Sequence, residues 1–451
     1  MLRRRAPRRW PTVERPPVAE RLPFTLSCYR VATATAAPLT TYLLNYRLRR
    51  GKEHPERFTE RRGMSGQQRP DGPLVWVHGA SVGELAAAIP LIERIRAREF
   101  AVLVTTGTVT SAELAERRLP PGVVHQFFPY DAPPFVARFL DHWRPDIGLF
   151  VESDLWPNMI LASAQRSVPL IIINGRLSAR SFKRWRATPR TIEALFQRID
   201  LCLVRTAIDA ERFEALGAPR ITTTGNLKLD VPALPVDEER LARFRIAIGN
   251  RPVVAAASTH LGEEAAVIDA HRRLRGAFPG LLTIIVPRHP ERGAGIAAAV
   301  GAAGLSAVQR SRERLPDPRT DVYVCDTVGE LGLIYRLAPI VFMGGSLIPH
   351  GGQNPIEAVK LGAAILHGPH VSNFAEIYSA LDQMRGAEMV AEPARLAARI
   401  GTLLKDPDER MRVTAAGKKT VEVLGGALER TMAALEPYLI QLRLENRPSH
   451  A

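Results

Sequence analysis

Cysteine is scarce in this chain. The three present, Cys28, Cys202 and Cys325, are scattered and show no CxxC spacing. That excludes a disulfide framework and a thiolate zinc site, and it suits a reducing compartment. Cys202 (LCLV) and Cys325 (VYVC) lie in apolar runs and read as small core residues. Aromatic residues make up only 6% and are not interleaved with the basic ones, so no base-stacking surface for nucleic acid is evident. GxGxxG does not follow the first apolar strand, which disfavours a dinucleotide-binding dehydrogenase. There is no GxSxG elbow, no short internal repeat and no metal-ligand cluster. The one DxD match, DPD at 406–408, contains proline and reads as a loop. No metal and no cofactor are expected.

What is present is ordinary globular composition, 46% hydrophobic and 24% charged, in 451 residues. That length allows two or three domains with full cores. The balance of 61 basic against 46 acidic residues favours partners with phosphate or carboxylate groups. Residues 1–22 are rich in Arg and Pro and read as a disordered basic tail. Residues 23–52 read as a membrane-anchor segment. Within it, VATATAAPLTTYLLNYR (31–47) carries no charge until Arg47, but it is short, partly polar and interrupted by Pro38. Tyr42 and Tyr46 would sit at the interface, with Arg47, Arg49, Arg50 and Lys52 toward anionic headgroups. A buried amphipathic helix is the competing reading.

From residue 73 short β-branched runs alternate with helical periodicity. PLVWVHG, AVLVTTG, VVHQFF, DIGLFVES, PLIIINGR, DLCLVR and RITTTG form one series. After LDVPALPVDEERLARFR, a proline-containing linker candidate, a second series begins: PVVAAAS, LLTIIVPR, DVYVCD, APIVFMGGS and AAILHG. Near-continuous apolar strands separated by helices predict doubly wound α/β domains. The expected boundaries are 53–235 for an N-terminal domain and 236–451 for a C-terminal one, with the terminal helices packing back on the first. Ligands in such sheets bind at the carboxyl ends of strands, which predicts a site in a cleft between the halves.

The loops that fall at strand ends carry the chemistry. They are HGASVGE (78–84), VESDLWP (151–157), NGRLSARSFKRW (174–185), GNLKLD (225–230), ASTHLGEE (257–264), VPRHPER (286–292), DTVGELG (326–332) and GGSLIPHGGQNPIEA (344–358). Glu84 follows small residues that let a substrate approach the backbone; by itself it could equally be a first-turn carboxylate favoured by the helix dipole. Glu152 and Asp154 would share a face if their strand continued, or pair structurally with arginines. Lys228 could meet a phosphate or carboxylate, or stand in solvent. Arg288, after Pro287, has donors for a phosphate or a base edge. Val328, Gly329 and Glu330 form a turn able to meet a base. Asn354, Pro355, Ile356 and Glu357 open a helix toward a phosphate, with Glu357 facing ribose hydroxyls. Gly344, Gly345 and Ser346 suggest a second anion-binding turn.

In number, order and spacing these loops resemble the Kdo (3-deoxy-D-manno-octulosonic acid) transferases of lipopolysaccharide assembly, glycosyltransferase family 30, over residues 24–425. The resemblance implies a GT-B fold: two Rossmann-like domains facing a cleft, with an N-terminal membrane-associated helix. It implies an inverting, metal-independent transfer of Kdo from CMP-Kdo to the lipid A precursor at the cytoplasmic side of a bacterial inner membrane. It places the general base at Glu84 and transition-state stabilisation at Glu152 and Lys228. It places CMP at Pro287, Arg288, Val328, Gly329, Glu330, Asn354, Pro355, Ile356 and Glu357. Two positions depart from the family pattern: Leu261 stands where a polar residue is expected, and Gln353 where His is frequent. The alternatives are a GT-B enzyme using another nucleotide sugar and a basic nucleic-acid-binding protein, which salt-dependent duplex binding would favour.

Overall fold

The computed structural model describes residues 21–445; the basic tail expected over 1–22 falls, but for its last two residues, outside them. The chain forms two compact units, one running to Val231 and resuming at Gly425, the other Pro232–Leu424.

The first unit opens with α1 (Phe24–Ala36) and α2 (Thr40–Arg49). Strands and helices then alternate: β1 (Leu74–His78), α3 (Val82–Arg96), β2 (Ala101–Thr106), α4 (Val109–Arg118), β3 (Val124–Phe127) and α5 (Pro133–Trp143). There follow β4 (Ile147–Val151), α6 (Pro157–Gln165), β5 (Leu170–Gly175), α7 (Ala179–Arg186) and α8 (Pro189–Phe196). The series ends with β6 (Leu201–Val204), α9 (Ala207–Ala215) and β7 (Ile221–Thr223).

Its seven strands are ordered β3-β2-β1-β4-β5-β6-β7, and every pairing is parallel. The order reverses between β1 and β4, where His78 pairs with Phe150. In doubly wound sheets the helices on either side of such a switch point diverge, and ligands bind in the crevice this leaves at the strands' carboxyl ends. The strands are apolar on both faces because both faces are covered. Val75 and Val77 pack toward Leu85 and Ile92 of α3, whereas Leu74 and Trp76 pack toward Phe139 and Met159. The buried Trp76 indole donates to Thr105 Oγ1 at 2.8 Å, so its one polar atom is satisfied.

The second unit runs α10 (Glu238–Ile248), β8 (Val253–Thr259), α11 (Glu263–Leu274), β9 (Leu282–Pro287), α12 (Gly293–Ala302), β10 (Ala307–Gln309), β11 (Val322–Val324) and α13 (Leu331–Leu337). It continues with β12 (Ile340–Met343), α14 (Ile356–Lys360), β13 (Ala364–His367), α15 (Ala375–Gln383), β14 (Ala387–Met389), α16 (Pro393–Lys405) and α17 (Pro407–Leu424). Its sheet order is β10-β11-β9-β8-β12-β13-β14, again parallel throughout, with the reversal between β8 and β12. The edge strands β10 and β14 are absent from the sequence reading. Each has three residues and no apolar run, and pairing with a neighbour makes it a strand.

Gly425 and Gly426 break the C-terminal helical stretch, and α18 (Ala427–Glu445) belongs to the first unit. Asp230 accepts from the Gly426 and Leu428 amides at 2.8 and 2.5 Å, capping the new helix. Met432, Leu435, Leu439 and Leu442 complete the core on the Val75 face of the sheet.

Among the described residues no helix is long and apolar enough to cross a membrane. A 3-10 turn at Ala37–Leu39, containing Pro38, separates α1 from α2. Only Leu26, Ala37 and Leu44 of this segment are buried. Phe24 (82% exposed), Val31, Leu39, Tyr42 (80%), Leu43 and Tyr46 are exposed.

Candidate functional site

In the first unit the sequence-predicted residues gather at one end of the sheet. Glu84 follows β1, Glu152 follows β4, and Lys228 follows β7. Glu84, in the first turn of α3, and Glu152, in the loop after β4, thus stand just beyond the two strands that flank the switch point. Ser81 is the N-cap of α3 and accepts from the Glu84 amide at 3.3 Å; its hydroxyl donates to Glu84 Oε1 at 2.7 Å. The Ala80 amide donates to Glu84 Oε2 at 2.7 Å. Glu84 therefore also fills the first-turn capping role that its local sequence suggests. Burial pushes its carboxyl above the usual range. The Ser81 and Ala80 hydrogen bonds oppose that rise, while the nearby Asp154 and Glu152 carboxylates add to it. A helix N-terminus alone would favour the ionised form; here desolvation outweighs it.

Glu152 is not strand-like. β4 ends at Val151, and Glu152 adopts φ 64°, left-handed backbone that is costly for a side chain of this type. The shared strand face expected for Glu152 and Asp154 does not exist, and the two carboxylates go to different partners. Glu152 Oε1 accepts from Lys228 Nζ at 3.0 Å, with Arg205 Nη2 3.9 Å away. Asp154 Oδ2 lies 3.5 Å from Nε2 of the buried His78. Trp76 already donates to the Thr105 hydroxyl, whose own hydrogen is available to His78 Nδ1 at 3.0 Å. Nδ1 also lies 3.2 Å from the Thr105 carbonyl oxygen. Lys228 is held from below: Asn226 Oδ1 accepts from its amide at 3.1 Å, and buried Asn174 accepts from the Leu227 amide at 3.0 Å.

His78, Asn174 and Arg205 were not singled out from sequence. The available signal was position, since each is a polar residue closing or following an apolar strand run. The arginine-rich segment after β5 forms α7, no residue of which is buried; Arg180, Lys183, Arg184 and Arg186 are exposed.

In the second unit the predicted nucleotide residues also fall at strand ends. Pro287 closes β9, and Arg288 follows it, exposed. Val328 and Gly329 make an exposed turn after β11, with Gly329 at φ 88°. Asn354, Pro355, Ile356 and Glu357 lead into α14 from the loop after β12.

Three details differ from the sequence reading. Glu330 is buried and receives Arg310 (2.9 and 3.0 Å), Arg240 (2.8 Å) and the Thr327 hydroxyl, so its carboxylate belongs to an ionic knot. The turn at Gly344–Ser346 is not an open anion site. The fully buried Glu263 carboxylate accepts from the amides of Gly345 (2.6 Å), Ser346 (2.9 Å), Leu347 (3.0 Å) and His260 (2.9 Å). Pro355 stands at the N-cap of α14, and Asn354 Oδ1 accepts from the Ile356 amide at 3.1 Å, which closes one of the N–H groups expected to be free.

Gln353 Nε2 lies 3.1 Å from His260 Nε2, and the His260 ring is 3.8 Å from that of His350. Burial depresses the His260 imidazole, and the neighbouring His350 adds to that.

The family model described as 3-deoxy-D-manno-octulosonic-acid transferase (kdotransferase) matches residues 56–231. The 3-deoxy-D-manno-octulosonic acid transferase of Bordetella pertussis is 36% identical over 426 residues, covering 91% of this chain and 99% of its own. That of Haemophilus influenzae is 34% identical over 394 residues, 85% and 92% of the two chains. The crystal structure of a glycosyltransferase from Rickettsia africae covers 84% of this chain and 100% of its own at TM-score 0.56; at 11% identity it bears on the fold alone, of GT-B type. Two parallel α/β units and these relatives agree: this chain belongs to the Kdo transferase family, the glycosyltransferases that transfer Kdo in lipopolysaccharide biosynthesis.

Proposed function

We propose that the donor is CMP-Kdo, that the acceptor is the lipid A precursor, and that Glu84 is the general base. The acceptor hydroxyl loses its proton to a Glu84 carboxylate oxygen as its own oxygen bonds to the anomeric carbon of Kdo. The bond from that carbon to the CMP phosphate oxygen breaks, and CMP leaves with the electron pair. Attack from the face opposite CMP inverts the configuration. A carboxylate whose basicity is raised by burial suits this proton transfer. Lys228, with Arg205 nearby, supplies positive charge, and Glu152 orders that lysine. The observation that carries the reading is the pairing of Lys228 with Glu152 at the same switch point as Glu84.

In the second unit Pro287, Arg288, Val328, Gly329, Asn354, Pro355, Ile356 and Glu357 would hold CMP, with Arg288 toward the phosphate. Glu330 would contribute its backbone only, because its carboxylate is occupied. The exposed apolar face of α1 and α2, ending in the exposed Arg49, Arg50 and Lys52, would lie on the cytoplasmic face of an inner membrane. There the cations of α7 would meet the acceptor's phosphates.

The test is release of CMP from CMP-Kdo with and without a lipid A precursor, for the wild type and Glu84→Gln. Acceptor-dependent release in the wild type, lost in a variant that still binds CMP, is the expected result. No release from folded wild type would redirect the search to other nucleotide sugars.

A further inference from the structure

The helix with the exposed apolar face is tied to the loop that carries Glu152 through one buried carboxylate. Asp131, between β3 and α5, is 7% exposed. Tyr29 Oη of α1 donates to its Oδ2 at 3.0 Å. The same carboxylate receives the first free amides of α6, Asn158 N on Oδ2 at 3.0 Å and Met159 N on Oδ1 at 2.9 Å. The N-cap of α6, Trp156, makes no side-chain cap bond, so Asp131 caps this helix from another element. Asn158 Nδ2 closes the knot, donating to the Asp131 carbonyl at 2.6 Å and to Thr33 Oγ1 of α1 at 2.9 Å. A second tether, Thr25 to Thr191 at 2.5 Å, joins α1 to α8.

Residues 152–156 are the whole connection between β4 and α6. One end is fixed to the sheet, where the Glu152 amide donates to the Ile173 carbonyl at 2.9 Å. The other end is fixed by the Asp131 cap. In between, Glu152 sits in left-handed backbone, and Trp156 packs on Phe128, which stacks on His78. A strained five-residue loop holds its geometry only while both ends are held. One of those ends depends on where α1 lies.

We propose that Tyr29 and Asp131 are positioning residues, which couple the seating of α1 on a lipid surface to the placement of the Glu152 loop. The proposal rests on the reading of α1 as membrane-facing and of Glu152 as part of the reaction site. Tyr29→Phe removes a single oxygen from the link, and Thr33→Val removes the Asn158 contact.

The test uses the full chain on vesicles of anionic phospholipid. Hydrogen exchange of residues 152–159 is followed with and without vesicles, and kcat and KM for CMP-Kdo are measured on the vesicle-borne acceptor. In the wild type, vesicles should slow exchange in this segment. In Tyr29→Phe that response should disappear, and basal exchange should be roughly tenfold faster, as expected when a cap is weakened. kcat should fall by roughly fivefold to tenfold, the scale of one ordinary hydrogen bond, with KM for CMP-Kdo unchanged. Thr33→Val should behave alike, and the double variant should lose little more than either one.

Equal vesicle responses in wild type and variant, or losses of kcat and CMP-Kdo binding in parallel, would overturn the coupling. Exchange is read without turnover, so it decides the coupling even if the wild type releases no CMP. That second failure would count against the proposed reaction alone.

Discussion

The two units share a plan: seven parallel strands, a reversal beside the first strand, and glutamates just beyond strand ends. They use those glutamates in opposite ways. In the first unit Glu84 and Glu152 stay half-exposed, and Glu152 faces Lys228. In the second, Glu263 is sealed in a nest of four amides and Glu330 lies between two arginines. A carboxylate at a strand end is therefore no mark of chemistry. What distinguishes the two cases is whether the protein's own donors saturate its oxygens. A saturated carboxylate is structural, while one left near other carboxylates and open to solvent can still accept a proton.

The largest expected effect sets the two kinds of glutamate against each other in rate. Glu84→Gln should lower kcat by roughly 10²–10⁴-fold, the usual contribution of a positioned base, with CMP affinity kept. Steady-state CMP release and calorimetric CMP binding check this, and full activity would remove Glu84 from its role.

Next is stability. Glu263→Ala leaves four buried amides without their acceptor and should destabilise the second unit by about 3–5 kcal/mol in urea unfolding. A loss below about 1 kcal/mol would mean that water replaces the carboxylate readily.

Asp131 offers an intermediate case, a saturated carboxylate in the first unit. Burial, opposed by the Asn158 and Met159 amides, raises its carboxyl to about 6. A folded-state value above the unfolded one contributes stability that is complete below the unfolded value and is lost as pH rises through about 6. Between pH 4 and 7 the wild type should therefore lose on the order of 3 kcal/mol relative to Asp131→Asn. Unfolding curves across that window measure it, and parallel curves would show that Asp131 titrates normally.

The smallest effect concerns Asp154. The base must be deprotonated, so kcat/KM for the acceptor rises with pH through the Glu84 titration, above the usual carboxylate range. Asp154→Asn removes one of the charges that raise it. The acidic limb should move to lower pH. An unmoved limb would place Asp154 outside the field of Glu84.

Much of this was legible along the chain. Apolar runs such as PLVWVHG and LLTIIVPR mark buried parallel strands by themselves, because a strand covered on both faces needs no polar alternation. The loop after each run then marks the same edge of the sheet. Glu84, Glu152 and Lys228 lie there, as do the residues read for CMP. The three-residue strands β10 and β14 were not legible, since their pairing rather than their composition makes them strands. Nor was the filling of the Gly344–Ser346 turn, because Glu263 lies 82 residues before Gly345.

Local pattern was enough for the class of fold, the positions of the strand-end loops and the family, because periodicity and turn chemistry act over a few residues. Tertiary packing alone decided which glutamates are saturated, that Lys228 meets Glu152 across 76 residues, and that Asp131 joins α1 to α6. Those pairings join groups far apart in the chain. Each depends on burial and on the directions of donors, and neither exists until the sheet has formed.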